Sequence, residues 1–396
     1  MRDSKRHACV LTNFRVILPR FQMKQEDASD WVYEAHALAE SNKNGPDAIN
    51  RIRVLKNKRN FEHYFANASQ VKFRWVDVPD VMGREWNKNE IYLLTTSDTG
   101  RGETFQGKNI RDRTNFFSTR ALEAFKSFYP SAADPPDHLI HVTCTGYNSP
   151  SAAQRIAAQH NWIDYPKITH AYHMGCYAAL SSIRIAEGLL KMSVLSPSSS
   201  PSPRVDLVHT ELCSLHMNPT AHEPEQIVIQ SIFADGYIKY SAMPSEEASR
   251  GFMILEHAEQ ILPDTEDEMT WIPEPWGMGM SLSRNVPRSI SLHLRAFIKY
   301  LFEKAEVSLQ QTLKEAFFAI HPGGPKIIDE VQALLALDDA QVQTSRNILL
   351  HRGNMSSATL PHIWKDLIEQ VPQGTKVVSL AFGPGLSILG SVFQAI

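Results

Sequence analysis

The chain has 396 residues, of which 43% are hydrophobic and 21% are charged, an ordinary composition for a globular protein of two packed halves or one large α/β unit. A formal net charge of −3 excludes the strong basic field that nucleic-acid binding uses, so no nucleic-acid partner is expected. No apolar run reaches the roughly 20 residues of a membrane helix, and the basic start lacks the apolar core of a signal peptide. We therefore expect a cytoplasmic protein without a membrane span.

The first hundred residues contain one basic cluster, RIRVLKNKR at 51–59. One interpretation of this cluster is a solvated helix face. The other is a binding site in which Lys56, Lys58 and Arg59 hold the phosphates of coenzyme A or of a carrier protein's phosphopantetheine, because Lys and Arg pair with phosphate oxygens.

From residue 138 onward, predicted strands and helices alternate. The apolar run 138–143 predicts a buried strand, and Ser149-Pro150-Ser151 predicts a helix start, because proline is favoured in the first helical turn. A strand over 168–172 then leads to a helix over 177–190, whose apolar residues recur at three- and four-residue spacing.

The remaining sequence continues this alternation. Residues 195–203, LSPSSSPSP, predict a flexible loop, and 234–236 predict a turn. A helix is predicted over 289–304, and strands are predicted over 205–209, 237–240, 252–255, 317–320, 377–382 and 386–396. Strands and helices that alternate in both halves indicate an α/β layered fold.

The four cysteines are too few for a disulfide framework, and none forms a C-x-x-C pair, so no metal site is expected. Cys9 and Cys213 are interpreted as structural. Cys176 is the candidate nucleophile, because it follows Gly175 and opens an amphipathic helix, whose partial positive charge favours a thiolate. The pattern therefore predicts a lowered pKa and a largely ionised thiol at pH 7. Cys144 is the competing candidate, and for either residue the alternative is a small buried hydrophobic side chain.

His321 and Asn354 are the candidate hydrogen-bond donors. His321 lies where an apolar strand meets Pro-Gly-Gly-Pro, and such turn residues can fix an imidazole at a strand end. Asn354 follows Gly353 and, by itself, is equally consistent with a turn or cap residue. With a thiol nucleophile nearby, an imidazole N–H and a carboxamide N–H can hold the enolate oxygen that forms when a malonyl thioester loses carbon dioxide. The three residues together indicate decarboxylative condensation on a thioester.

The chain resembles the type III polyketide synthases, the chalcone and stilbene synthase group of the thiolase-fold condensing enzymes. The likeness covers residues 136–396 well and the first 130 poorly. It rests on His321-Pro-Gly-Gly-Pro, Gly353-Asn-Met-Ser-Ser and Gly383-Pro-Gly-Leu, and further upstream on Cys144-Thr-Gly, Gly175-Cys and Phe233-Ala-Asp-Gly.

The resemblance implies an α/β thiolase fold of five αβαβα layers with two pseudo-equivalent halves, 1–242 with the cysteine and 243–396 with the histidine and asparagine. It implies a homodimer that uses acyl and malonyl coenzyme A thioesters and has no permanently bound cofactor. Cys176 would load the acyl group. His321 and Asn354 would decarboxylate the extender and hold the oxyanion, and His321 would keep Cys176 ionised.

The resemblance also implies which residues form the pocket. Phe233 would be the aromatic gatekeeper between the coenzyme A tunnel and the cavity. Ser356 would line the cavity, and Gly383, Pro384 and Gly385 would shape the region where intermediates cyclise.

Several residues depart from the family pattern. Ala234 and Ala381 stand where the family usually has glycine. Met280 stands where a second gatekeeper phenylalanine is common, and Trp271 lies near a position that is often small. A bulky tryptophan would shorten the cavity on one side, and a flexible methionine would open another. The expected product is a polyketide, pyrone or resorcinol-type compound of unspecified length.

Alternatives to a coenzyme A-dependent enzyme stay open. The family's basic tunnel-mouth residues do not align with 51–59, so an acyl carrier protein is an alternative donor, in an enzyme that joins two acyl chains into an α-pyrone. Cysteine, histidine and asparagine in this order also describe papain-like hydrolases, although the Pro/Gly motifs argue against that class. The intact Cys176, His321 and Asn354 argue against a catalytically silent partner in a heterodimer.

Overall fold

The computed structural model describes residues 8–45, 61, 63–94, 105–195 and 202–396. The described strands are β1 Cys9–Ile17, β2 Phe21–Lys24, β3 Phe73–Val76, β4 His138–Thr143, β5 Lys167–Tyr172, β6 Val205–Leu212, β7 Asp235–Pro244, β8 Phe252–Ile261, β9 Met269–Glu274, β10 Gly277–Leu282, β11 Phe317–Ile320, β12 Lys376–Gly383 and β13 Ser387–Ala395. The described α-helices are α1 Gln25–Asn44, α2 Ile110–Phe128, α3 Ala152–Gln159, α4 Ala178–Leu195, α5 Pro224–Ile232, α6 Val286–Lys304, α7 Leu309–Glu315, α8 Pro325–Leu335, α9 Asp339–Arg352 and α10 Thr359–Gln370.

Nine strands form one sheet in the order β5-β4-β6-β7-β1-β8-β13-β12-β11. In the first half, β4 and β6 are parallel, whereas β6–β7 and β7–β1 are antiparallel. The second half repeats this pattern, because β11 and β12 are parallel and β12–β13 and β13–β8 are antiparallel. The halves join where β1 pairs with β8 at Val10–Met253 and Leu11–Phe252.

Alternate residues of the strands face different cores, as the strand period of two requires. In β6, Leu207 packs in a central cluster with α4 and α10, whereas Val208 packs in an outer cluster with α2 and α3. In β12, Val377 faces the same central cluster, and Val378 faces a second outer cluster with α6 and α8. Because α4 and α10 lie between the sheet halves and other helices cover their outer faces, the chain has five αβαβα layers.

Local sequence signals account for most element boundaries. The predicted strands 138–143 and 317–320 match β4 and β11. The predicted start of α3 is a capping box, in which the Ser151 hydroxyl accepts from the Gln154 N–H and the Gln154 side chain accepts from the Ser151 N–H. The predicted loop 195–203 lies largely outside the described residues.

The turn predicted over 234–236 is wrong, because Asp235 and Gly236 begin β7. The Asp235 carboxylate accepts hydrogen bonds from the N–H groups of Ser214 and Asp77 at 2.8 and 2.7 Å. These contacts hold the segment in the sheet, where its turn-forming residue types would otherwise favour a bend. The half boundary predicted after residue 242 lies within β7, near its end, and stays a prediction.

Among the helices of the described ranges, none combines the length and apolarity that crossing a membrane requires.

Candidate active site

The turn that carries Cys176 has an unusual backbone. Cys176 lies in a single 3-10 turn, Gly175–Tyr177, between β5 and α4. Gly175 has a φ of 76°, and a Cβ at this position would lie 2.6 Å from Cδ of Pro384. His173 also has a positive φ, 62°. Both the backbone conformation and the close proline require glycine before the cysteine.

The Cys176 thiol is buried and protonated. Its Sγ lies 3.9 Å from the Ser356 hydroxyl, and the residue is 9% exposed. Burial raises the pKa of Cys176 to about 12; Ser356 and Asn354 act in the opposite direction, and the charge of Glu211 raises it further. The ionised thiol predicted from the helix start is therefore wrong for the free protein, because desolvation outweighs the helix terminus.

Among the described residues, the backbone of His321 forms a hydrogen bond, whereas its imidazole ring forms none. It follows β11, and its N–H donates to the Leu380 carbonyl at 2.8 Å. The residue is 1% exposed, and neither ring nitrogen has a hydrogen-bond partner in the described part of the chain. Burial lowers the pKa of His321 to about 3, so the imidazole is neutral. The prediction that His321 keeps Cys176 ionised is therefore wrong for the free protein.

Among the described residues, the Asn354 side chain forms hydrogen bonds through Oδ1 and none through Nδ2. Its Oδ1 accepts from the Ser356 N–H at 2.9 Å and from the Thr359 hydroxyl at 3.4 Å. That pairing assigns the other side-chain atom as Nδ2, which has no partner among the described residues. Because unsatisfied buried donors are rare in native proteins, the free nitrogens of His321 and Asn354 indicate groups kept for a ligand.

A cavity lined in part by Cys176 and Ser356 has an empty volume of about 1090 Å³, including the part open to solvent, and its lining does not include His321 or Asn354. Of the residues predicted to contact substrate, its lining includes Phe233, Trp271, Met280, Ser356 and Pro384, together with Cys176 itself.

Two predicted pocket residues lie outside that lining. A Cβ at Gly383 would lie 2.2 Å from the Tyr177 ring, and one at Gly385 would meet open space. Lys56, Lys58 and Arg59, predicted to bind coenzyme A phosphates, lie outside the described residues.

The sequence interpretation missed Glu211, at the end of β6. Its carboxylate accepts from the Cys144 N–H at 3.0 Å, the Thr145 hydroxyl at 2.8 Å and the Ser357 hydroxyl. Burial raises the pKa of Glu211, and the hydrogen bonds oppose that shift. Glu211 lies two residues beyond the strand predicted over 205–209, and no motif in the sequence marks it.

The cavity wall also includes Cys213 and His216, which were not assigned to it. The His216 Nε2–H donates to the Thr145 carbonyl at 2.7 Å, and its Nδ1 accepts from the Met278 N–H at 3.1 Å. The Trp271 indole stands edge-on to this imidazole and donates to the Cys144 carbonyl at 2.7 Å. The ring nitrogens of His216 and the indole N–H of Trp271 are therefore all hydrogen-bonded to backbone groups.

Comparisons with known proteins show which proteins the chain is similar to. Residues 254–396 match the family model of the C-terminal domain of chalcone and stilbene synthases. The Arabidopsis thaliana type III polyketide synthase C is 29% identical over 272 residues, 66% of this chain and 68% of that protein. A putative chalcone synthase of Bacillus subtilis is 27% identical over 311 residues, 76% of this chain and 78% of that protein. The predicted resemblance to the type III polyketide synthases is confirmed.

A probable polyketide synthase of Dictyostelium discoideum is 31% identical over 257 residues, 64% of this chain. The match spans only 8% of that much longer relative.

Solved type III polyketide synthases share the fold over nearly the whole chain. The C-terminal domain of Dictyostelium Steely1 superposes with a TM-score of 0.76 and 24% identity, covering 98% of this chain and 99% of that one. PKS-I of the brown alga Ectocarpus siliculosus superposes with a TM-score of 0.81 and 20% identity over both entire chains. The predicted thiolase fold is confirmed.

Proposed function

We propose that the protein is a ketosynthase that loads an acyl thioester on Cys176 and extends it by decarboxylative Claisen condensation. The extender is a malonyl or β-ketoacyl thioester, and the product is a polyketide, pyrone or resorcinol-type compound. The observation that carries the proposal is the pair of buried, unpartnered donors on His321 and Asn354 in a site whose nucleophile is a thiol. The similarity to type III polyketide synthases supports the same class of reaction.

Loading begins from a neutral thiol and a neutral imidazole. The Cys176 thiol gives its proton to a free ring nitrogen of His321 as the sulfur attacks the thioester carbonyl. The tetrahedral intermediate collapses with cleavage of the donor's carbon–sulfur bond. The proton then passes from His321 to the departing thiolate, which leaves coenzyme A or phosphopantetheine as a thiol and His321 neutral again.

Condensation then uses the two donors together. A malonyl extender loses carbon dioxide, and the resulting enolate oxygen accepts hydrogen bonds from a ring N–H of His321 and from Nδ2 of Asn354. The enolate carbon attacks the acyl carbonyl on Cys176, and the carbon–sulfur bond breaks to return the thiolate, which regains a proton from solvent. Each donor of this kind commonly contributes a factor of about 10²–10³ in rate.

The remaining parts of the proposal concern donors and assembly. Coenzyme A thioesters are the proposed donors, with an acyl carrier protein as the alternative, and the protein acts as a cytoplasmic homodimer without a bound cofactor. Phe233, which lines the cavity and adjoins Asn354 through the backbone, is the proposed gatekeeper. A papain-like hydrolase is disfavoured by the Pro/Gly motifs around His321 and Asn354.

The test is direct observation of the acyl adduct. Wild-type protein and Cys176→Ala are incubated with acyl coenzyme A and acyl-carrier thioesters, with and without malonyl coenzyme A. Intact mass and small-molecule products are then recorded. We expect an adduct on the wild type that is lost in Cys176→Ala and retained in the control Cys9→Ala, whose sulfur lies in the central core. Persistence of the adduct in Cys176→Ala contradicts the proposal, and thiol-dependent peptide cleavage would favour the hydrolase.

A further inference from the structure

Two histidines face each other beside the cavity, on two segments that contribute to its lining. His36 of α1 places its Nδ1 atom 2.8 Å from Nδ1 of His222, which lies two residues before α5. The cavity lining includes Trp31 of α1 and Gln230 of α5. The histidine pair therefore joins two elements that both form the cavity wall.

The other nitrogen of each ring also has a partner. His36 Nε2 contacts Gln230 Oε1 at 2.8 Å, and His222 Nε2 contacts a Glu40 carboxyl oxygen at 3.0 Å. Gln230 Nε2 donates to the Asn218 carbonyl at 3.2 Å, which assigns the atom that faces His36 as the accepting oxygen. Each imidazole nitrogen makes one in-plane hydrogen bond, so the Nδ1–Nδ1 contact and these two contacts occupy all four ring nitrogens.

The three contacts require three protons. Gln230 Oε1 can only accept, so His36 Nε2 carries the first proton. The two Nδ1 atoms share the second, because two nitrogens without a proton repel each other at 2.8 Å. The third lies between His222 and Glu40, on the ring or on the carboxyl group. A carboxylate and two neutral imidazoles hold only two protons, so this arrangement binds one extra proton.

The described residues next to the pair include three charged side chains. α1 supplies Glu40, and the segment before α5 supplies Glu223, which is exposed. Arg74 of β3 donates to an α5 carbonyl at 2.8 Å. Phe61 stands edge-on to the His36 ring with the centroids 5.4 Å apart, and the nearby His63 is exposed. The carboxylates favour the extra proton, and the guanidinium opposes it.

We propose that His36, His222 and Glu40 form a proton-dependent clasp that holds α1 against residues 218–232 and thereby stiffens the cavity wall. With the extra proton, all three contacts are hydrogen bonds. The His222 and Glu40 side chains are 17% and 23% exposed, so the proton exchanges with solvent through them. When it leaves, one contact becomes two lone pairs that face each other, and the clasp loosens.

The clasp stabilises the folded chain less as the pH rises. Above about pH 6.5 the histidines of the unfolded chain are largely neutral, whereas the folded chain keeps the extra proton in the clasp. Folding therefore takes up a proton in this range. The contribution of the clasp to the free energy of unfolding then decreases with increasing pH, until the clasp itself has lost the proton.

The first test counts the protons taken up on folding, by urea unfolding of the wild type and of Glu40→Gln from pH 6.5 to pH 9. The glutamine amide supplies a permanent N–H in place of the third proton, so its clasp has no proton to lose. The folding equilibrium constant of the wild type, divided by that of Glu40→Gln, should fall by up to about tenfold per pH unit. Glu26→Gln, the same change at an exposed position of α1, is the matched control, and the corresponding ratio should not vary with pH.

The second test follows the cavity wall through amide hydrogen exchange of residues 218–232. Wild type and Glu40→Gln are compared at the same pH, so the base dependence of exchange itself cancels. Exchange in the wild type should become faster relative to Glu40→Gln as the pH rises, because local opening is easier without the clasp. His222→Leu, which has no donor for either contact, should exchange faster than Glu40→Gln at every pH.

Each part of the inference has its own contrary result. A pH-independent ratio of wild type to Glu40→Gln overturns the extra proton, and a pH-dependent ratio of wild type to Glu26→Gln overturns its assignment to the clasp. Exchange of residues 218–232 that is the same in all variants overturns the link to the cavity wall. Neither measurement uses a thioester, so the result is independent of whether the proposed function holds.

Discussion

Phe233 and Asn354 form an isolated parallel β-bridge between the two halves of the chain. The Asn354 N–H donates to the Ile232 carbonyl and the Ala234 N–H donates to the Asn354 carbonyl, both at 2.8 Å. One pair of backbone hydrogen bonds thus fixes a cavity-wall aromatic residue relative to the amide that has an unused Nδ2. The position of the proposed oxyanion donor is therefore set by backbone and not by a flexible side chain.

Removing that donor should slow the decarboxylation step selectively. Asn354→Ala should lower the rate of malonyl coenzyme A decarboxylation about 10²–10³-fold, because the enolate loses one preorganised hydrogen bond. Acylation of Cys176 should persist. The measurement is release of labelled carbon dioxide beside intact-mass detection of the adduct. Asn347→Ala, at an exposed position of α9, is the control. Equal loss of both steps would contradict the assigned role.

The bridge also predicts a strict requirement for glycine at position 353. Gly353 has a φ of 74°, and an added Cβ would lie 2.9 Å from the Ile232 carbonyl oxygen and 3.0 Å from Cβ of Ala234. Gly353→Ala should therefore lower the free energy of unfolding by roughly 2 kcal/mol or more. Gly188→Ala is the matched control: a Cβ there meets no atom within 4 Å, and in α4 it should stabilise by about 0.5–1 kcal/mol. Urea unfolding of both variants checks the contrast, and equal midpoints would refute it.

The protonated thiol predicts how Cys176 reacts with alkylating agents. With a pKa raised to about 12 by burial, the thiolate fraction still rises tenfold per pH unit well above neutrality. Alkylation of Cys176 by iodoacetamide should therefore increase steadily from pH 7 to pH 9, as measured by peptide mass spectrometry. A rate that levels off near neutral pH would show an ionised resting thiol instead. Cys176→Ala supplies the background from the other cysteines.

The burial of five histidines predicts that the free energy of unfolding decreases in acid. Burial lowers the pKa to about 3 at each of His141, His209, His216, His321 and His362. Below pH 6.5 the unfolded chain binds protons that the folded chain does not. Each histidine then removes up to about 1.4 kcal/mol of unfolding free energy per pH unit. Asp235, whose pKa burial raises to about 7, opposes this trend with one proton, and Glu211 acts in the same direction as Asp235.

The urea concentration at the midpoint of unfolding should therefore decrease as the pH is lowered from 7.5 to 5.5. His362→Asn, which keeps a donor near the Ala358 carbonyl that His362 contacts at 2.8 Å, should reduce the slope by about one proton. His351→Gln, at an exposed position of α9, should leave the slope unchanged. A midpoint independent of pH across this range would rule out the neutral buried histidines.

The sequence patterns predicted the secondary-structure elements more accurately than they predicted the electrostatics of the site. The strand over 317–320 and the turn residues after it are local signals, and they locate His321 at a strand end. The thiol was predicted wrongly because the helix terminus is visible in the sequence, whereas the burial that outweighs it is supplied by distant segments. Glu211 was missed for the same reason, since its hydrogen-bond donors come from residues 143–145 and from Ser357, which lie in other parts of the chain.

The residues that line the cavity were likewise only partly predictable from the sequence. Phe233, Ser356 and Pro384 carry motif signals and were assigned from them. The cavity-lining residues of α1, β2 and β3 carry no motif, because apolar residues on a helix and two short strands look like ordinary core until tertiary packing leaves space beside them. Motifs therefore identified part of the cavity lining, and the rest is visible only in the three-dimensional arrangement.

The place of β1 in the sheet has a consequence for biosynthesis. The first described strand lies at the sheet's centre, paired with β7 on one side and with Met253 and Phe252 of β8 on the other. Its partners are synthesised more than two hundred residues later, so β1 remains unpaired until β7 and β8 have been made. Such long-range pairing slows folding and leaves an apolar strand exposed to other chains during translation.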